Sequence, residues 1–143
     1  MATTSDPYDL QRFVDAQSGV FDTVVDELSA GRKRSHWMWF VFPQLRGLGS
    51  SPTAVRFAIS SLDEARAYLA HETLGPRLRQ CAGLVAGTAG RSAEEIFGWP
   101  DNLKLRSSMT LFAHATDDNA EFLAVLTSFY EGREDSATVQ RLG

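Results

Sequence analysis

A chain of 143 residues that is 43% hydrophobic and 22% charged reads as one ordinary globular domain, a size at which about 68–70% of the unfolded surface is buried on folding. Its single cysteine, Cys81, excludes an intrachain disulfide and any cysteine-based zinc site. No apolar run nears the roughly 18 residues of a membrane span, and a formal net charge of −4 argues against broad nucleic-acid binding, which depends on neutralising phosphates. The first residues lack the basic-then-apolar layout of a signal peptide. The expectations are a cytoplasmic location, a flexible tail over 1–7, and a single helical domain over 8–143.

Asp6-Pro7 offers an N-cap followed by proline at the first helical position, and Leu10, Phe13, Val14 and Gln17 follow at helical spacing. Ser18-Gly19 interrupts. A second amphipathic helix carries Phe21, Val24, Val25 and Leu28 at i, i+3, i+4, i+7. Gly31 should end it as a left-handed residue, leaving Arg32-Lys33-Arg34 at the negative end of the helix dipole. The stretch Ser35-His36-Trp37-Met38-Trp39-Phe40-Val41-Phe42-Pro43-Gln44 then holds too many bulky apolar groups to stay in water, so most of it must be core. It is too short for periodicity to separate strand from helix. Ser35 as a cap, helical neighbours and no strand-like partner favour a short helix ended near Pro43.

Gly47, Gly49 and Ser50-Ser51-Pro52 mark a loop, and Ser51-Pro52 should start a helix running to Ile59. Ser61 to Glu64 and Ser92 to Glu95 both match capping boxes. Between them Leu62, Ala65 and Leu69 define one apolar face, and Leu74, Leu78, Cys81 and Val85 another. Asp101 can cap a helix burying Leu105, Met109, Phe112 and Ala113; the next buries Phe122, Leu123, Leu126, Phe129 and Tyr130, ending at Gly132. Asp135-Ser136 can cap a final turn reaching Leu142. The fold class expected is therefore mainly α, seven to nine short helices with little or no sheet.

Candidate chemistry is sparse. Most acids sit at helix starts, where caps and dipole account for them. Asp101 stands apart, because Asp101, Lys104 and Ser108 share one helix face at i, i+3, i+7, either a solvated salt-bridged surface or the wall of a polar pocket. His36, Trp37 and Trp39 lie beside the basic run, where a positioning or stacking role competes with core packing. The three histidines have no metal-ligand spacing, no serine sits in a nucleophile elbow, and no glycine pattern follows a strand as a dinucleotide fingerprint would. No cofactor and no metal are expected.

Residues 8 to about 142 resemble an uncharacterised bacterial family, domain of unknown function eighteen-ten, whose members often bear the label calpastatin. The resemblance rests on Leu10 to Gln17, Gly31 to Gln44, Ile59 to Leu69, Leu74 to Leu78 and Asp101 to Ala113, and above all on Ser-His-Trp-Met-Trp-Phe followed by Phe-Pro-Gln. It implies a mostly helical fold and no activity. Calpastatin segments are disordered and repeated, which this chain is not. A remoter similarity, carried by Phe13 to Gln17, Trp99, Met109, Leu111, Ala113 and Glu121 to Thr127, is to the NADAR superfamily with its YbiA-like proteins. It implies action on N-glycosidic bonds of ADP-ribose-type compounds. The first NADAR motif carries a glutamate where this chain has Gln11 or Arg12, so no catalytic role transfers.

The function expected is N-glycosidic hydrolysis of such a phosphate-bearing nucleotide, with a non-enzymatic regulatory or ligand-binding module as the alternative. An oxocarbenium-like transition state needs a carboxylate, the phosphates need cations and a base needs an aromatic surface. Asp101 and His36 are the catalytic candidates. Lys33, Arg34, Lys104 and Arg106 are the phosphate contacts, Trp37 and Trp39 the stacking rings, and Gln44 and Ser108 polar contacts. The sequence leaves the oligomeric state open.

Overall fold

A computed structural model describes residues 6–142; of the expected tail, residues 1–5 lie outside the described residues, and so does Gly143. Asp6 does act as a cap, its carboxylate accepting from the backbone N–H of Leu10 (2.8 Å) and Gln11 (3.0 Å). It caps across a turn, so α1 spans Gln11–Gln17 and Pro7 stays outside it. Helix α2 (Phe21–Ser29) ends as expected, with Gly31 at φ +72°. The aromatic stretch forms α3, Met38–Val41.

Helix α4 (Pro52–Arg56) is capped by Ser51, which accepts from the Ala54 N–H, but it stops short of Ile59. Ile59 is instead drawn into a parallel bridge with Leu45: its N–H donates to the Gln44 carbonyl and its carbonyl accepts from the Arg46 N–H, both at 2.8 Å. That isolated bridge accompanies ten helices and no strand among the described residues, the all-α fold expected with more helices than the seven to nine read from the sequence. Helices α5 (Leu62–Ala70), α6 (Leu74–Ala86), α7 (Ala93–Phe97), α8 (Asp101–Ala115), α9 (Ala120–Tyr130) and α10 (Ser136–Leu142) complete the chain.

The capping box at Ser92 is complete. The one at Ser61 is only half made: Ser61 accepts from the Glu64 N–H, but the Glu64 carboxylate turns to Ser60 and to Arg12, 2.9 Å away. The ion pair outcompetes the local backbone donor because a charge-assisted hydrogen bond is the stronger one. Helix α8 is the hub, packed by α5, α7, α9 and α10. Its interior residues Leu105, Met109, Leu111 and Phe112 are fully buried. Leu123 is a correction: it stands 46% exposed while Val125 takes the buried position on α9.

Two aromatic groups fill the core. Phe40, Phe57, Phe13, Tyr68, Phe112 and Phe122 form a ladder of neighbouring rings with centroids 5.1–6.0 Å apart. Trp37, Phe42 and Phe97 form a separate trio at 6.0–6.3 Å, within the range in which aromatic pairs attract beyond their area burial. Where α5 turns into α6 the backbones nearly touch, and a Cβ on Gly75 would lie 2.1 Å from the Leu69 carbonyl oxygen. Gly75→Ala is therefore expected to destabilise by about 2–3 kcal/mol, since neither helix can retreat without unpacking. Chemical denaturation against the parent reads this directly, and an unchanged midpoint would refute it.

Candidate functional site

The site begins with a residue on α2. Glu27, buried, accepts from the backbone N–H of Arg34 (2.7 Å) and Ser35 (3.0 Å), the Ser35 hydroxyl (2.6 Å) and the Trp37 indole N–H (3.0 Å). Burial alone would raise its pKa. The Ser35 hydroxyl, the two backbone N–H groups and the indole outweigh that and bring it from 4.5 down to about 2. Glu27 thus folds the basic run back over α2 and seats Trp37 in the core. Ser35 is spent here, so α3 starts without a side-chain cap.

The Lys33 N–H donates to the Ile96 carbonyl at 2.7 Å, which fixes the run beside α7. From there the Lys33 ammonium reaches Asp101, the first residue of α8, at 2.9 Å. The other Asp101 oxygen lies 3.4 Å from the Lys104 ammonium. Lys33 sits 5.1 Å from the Trp37 ring centroid and Lys104 sits 4.8 Å from that of Trp39. The order Trp37, Lys33, Asp101, Lys104, Trp39 is one continuous chain of charge and aromatic contacts, closed at the Trp37 end and open at the other.

The open end faces a cleft of about 630 Å³ between α3, the loop before α4, the start of α8 and the start of α10. Trp39, Gln44, Pro100, Lys104, Ser107 and Asp135 are among its walls. That volume lies within the roughly 300–1,000 Å³ typical of small-molecule sites. Chemically the cleft offers an aromatic face, an amide, a cation and a carboxylate.

A model of the family described as protein of unknown function (DUF1810) matches residues 7–142. The chain belongs to that family. A crystal structure of the conserved hypothetical protein Rv1873 from Mycobacterium tuberculosis resembles it with a TM-score of 0.95, at 67% identity, over 96% of this chain and 98% of that one. No curated protein matches the chain.

In this DUF1810 chain the residues singled out from the sequence divide into two groups. Asp101, Lys33, Lys104 and Trp39 are brought together, and Gln44 joins Trp39 and Lys104 at the cleft. Lys33 is held inside, its side chain only 7% exposed and committed to Asp101. Trp37 is 2% exposed and packed on Phe42 and Phe97, so it has no face left to stack a base. Arg106 is drawn away by the link between α9 and α10, donating to the Arg133 carbonyl at 2.9 Å and the Glu134 carbonyl at 2.8 Å. Ser108 is fully buried and, among the described residues, its hydroxyl has no hydrogen-bond partner. Arg34 and His36 are exposed and join neither the ion-pair chain nor the cleft walls.

Sequence reasoning missed Glu27, which carries no local signature because its partners lie seven to ten residues on. It also read Asp135 only as a cap. Arg12, beyond its ion pair with Glu64, donates to the carbonyls of Arg56 and Ala58 and so pins α1 to α4 and α5. Gln17 is buried, donating to the Phe40 carbonyl at 2.8 Å and accepting from Arg77 at 3.2 Å. Cys81 is fully buried in the core, and that burial pushes its thiol up to about 12. Among the described residues no three His, Cys, Asp or Glu are grouped to hold a metal ion, and no helix is long and apolar enough to cross a membrane.

Proposed function

We propose that the cleft binds a phosphate-bearing nucleotide of the ADP-ribose type and hydrolyses its N-glycosidic bond. The observation that carries the reading is Lys104, held by Asp101 and poised 4.8 Å over the half-buried Trp39 ring at the mouth of the cleft. Trp39 supplies a π-face for a base, worth about 1–3 kcal/mol where a base stacks on an aromatic residue. Lys104 supplies the phosphate cation, and Gln44 a donor and an acceptor for the edge of the base. The remote NADAR similarity supports the reaction class, and Asp101 is the carboxylate that would stabilise the developing positive sugar.

A second reading, binding without turnover, is favoured by the same ion pairs: both Asp101 oxygens already face an ammonium, which weakens the carboxylate as a base. A thermal-shift titration with ADP-ribose tests the common part. At about 100 times Kd the ligand should add roughly 2.7 kcal/mol of stability, and Trp39→Ala or Lys104→Ala should reduce the shift. Release of base or ribose from an N-glycosidic substrate by the parent, abolished in Asp101→Asn, decides for the enzyme. Binding without release decides for the sensor, and no shift overturns both.

A further inference from the structure

On α8, Asp101, Lys104 and Ser107 follow one another at intervals of three residues, each about 4.5 Å of rise, and the last two line the cleft. Ser107 marks the position of another carboxylate. Its hydroxyl lies 3.1 Å from Asp135 Oδ2, and the same oxygen accepts from the Thr138 N–H at 3.1 Å and the Thr138 hydroxyl at 2.6 Å. The Asp135 backbone is fixed as well, its N–H donating to the Thr110 hydroxyl at 2.9 Å. Thr110 and Thr138 are fully buried, so the aspartate stands on a rigid base. Among the described residues Oδ1 accepts no hydrogen bond and Asp135 pairs with no cation, although it lines the cleft with Lys104.

Asp101, beside the cleft but not among its walls, and Asp135, which lines it, therefore differ in kind. Asp101 has both oxygens committed to lysines and positions Lys104; Asp135 has one oxygen committed and one to offer. A cation and a carboxylate in one cleft disfavour a ligand that is anionic throughout, because Asp135 would repel it. They suit a ligand that places phosphate at Lys104 and hydroxyl donors beside it. Sugar hydroxyls are such donors, and an aspartate or glutamate is the group that takes the ribose hydroxyl in dinucleotide-binding folds.

We infer that Asp135 is the specificity-determining residue of the cleft, its Oδ1 accepting hydrogen bonds from the vicinal diol of a ribose whose phosphate lies on Lys104. This rests on the nucleotide reading above and adds to it the group that tells a ribosylated ligand from a bare phosphate. Asp135 is a binding residue here, and no proton transfer is assigned to it.

Isothermal titration of the parent and Asp135→Asn, each with ADP-ribose and with an analogue lacking the vicinal diol of the terminal ribose, tests the inference. The parent should prefer ADP-ribose by roughly tenfold to a hundredfold, the range for a hydrogen bond to a charged group. Asp135→Asn should lose most of that preference, and the two changes together should cost little more than either alone. Asparagine keeps an oxygen to accept from Thr138, and a melt of the ligand-free variant separates lost fold from lost contact. A parent that binds both probes equally overturns the inference without any variant, as does an Asp135→Asn protein that still discriminates; in both cases the nucleotide reading stands. A parent that binds neither probe overturns both.

Discussion

Trp37→Ala should lower the free energy of unfolding by about 4–5 kcal/mol, at the upper end of large aromatic truncations. Three losses coincide. The indole is 2% exposed and is wedged between Phe42 and Phe97 at 6.2 and 6.3 Å, so its removal leaves a cavity that two aromatic neighbours must bridge. Glu27 loses the one donor that reaches it through a fully buried bond. Lys33 loses the ring beneath its ammonium. For a domain of this size the melting temperature should fall by more than about 10 °C. Trp37→Phe separates the contributions, since it restores most of the volume and none of the hydrogen bond. Phe40→Ala should cost less, about 2–3 kcal/mol, because Phe40 is half-buried and rests chiefly on Phe57 at 5.5 Å. Denaturation curves for the three variants give the ranking, and a Trp37→Ala protein that melts within a degree of its parent would show the trio to be no part of the core.

The second large effect belongs to Glu27. Glu27→Ala leaves the Trp37 indole N–H buried without a partner and strands the N–H groups of Arg34 and Ser35, which water reaches in part. A loss of about 3–4 kcal/mol is expected, less than the sum of separate bonds because part of the segment can rehydrate. The pH dependence follows from the depressed carboxyl. The folded protein holds Glu27 at about 2 against an ordinary 4.5, so the unfolded chain takes up the proton first as pH falls. The stabilisation is complete above about pH 4.5 and is lost progressively as pH drops toward 2. It should be on the order of 2 kcal/mol, allowing for water at the edge of the carboxylate. Urea midpoints measured from pH 6 to pH 2 should therefore decline less steeply for Glu27→Gln than for the parent. Parallel slopes would mean that other carboxylates carry the acid sensitivity.

The Glu27 prediction bears on function because Glu27 is upstream of the cleft. Its four hydrogen bonds decide where Arg34, Ser35 and Trp37 lie, and thereby which residue of the basic run meets Asp101. That residue is Lys33, while the Arg34 side chain is left in water. A Glu27 variant that still folds should accordingly weaken ligand binding at the cleft, even though Glu27 is not among its walls.

Local chemistry was enough for the helices. Caps such as Ser51 and Ser92, the left-handed Gly31, and apolar spacing in α2 and α6 act within a turn or two of their own residues, so the order of the chain records them. The same holds for the aromatic stretch, where sheer apolar density dictated burial and Pro43 a stop. Ile59 left its expected helix because its partner is Leu45, on the far side of α4 and the loop before it, and Leu123 ended in solvent because the helices packed on α9 chose the neighbouring face. Half of the site was legible for the first reason: Asp101 and Lys104 share a helix face at i, i+3. The rest belonged to the tertiary structure. Whether Trp37 or Trp39 is the open ring, whether Arg106 points to the cleft or to the α9–α10 link, and whether Asp135 only caps a helix or also faces a ligand all depend on contacts between residues far apart in sequence. Alternation and spacing carry no information about such contacts. They are set by which buried polar group finds a partner, because in the interior an unpartnered donor or charge is the most costly error the chain can make.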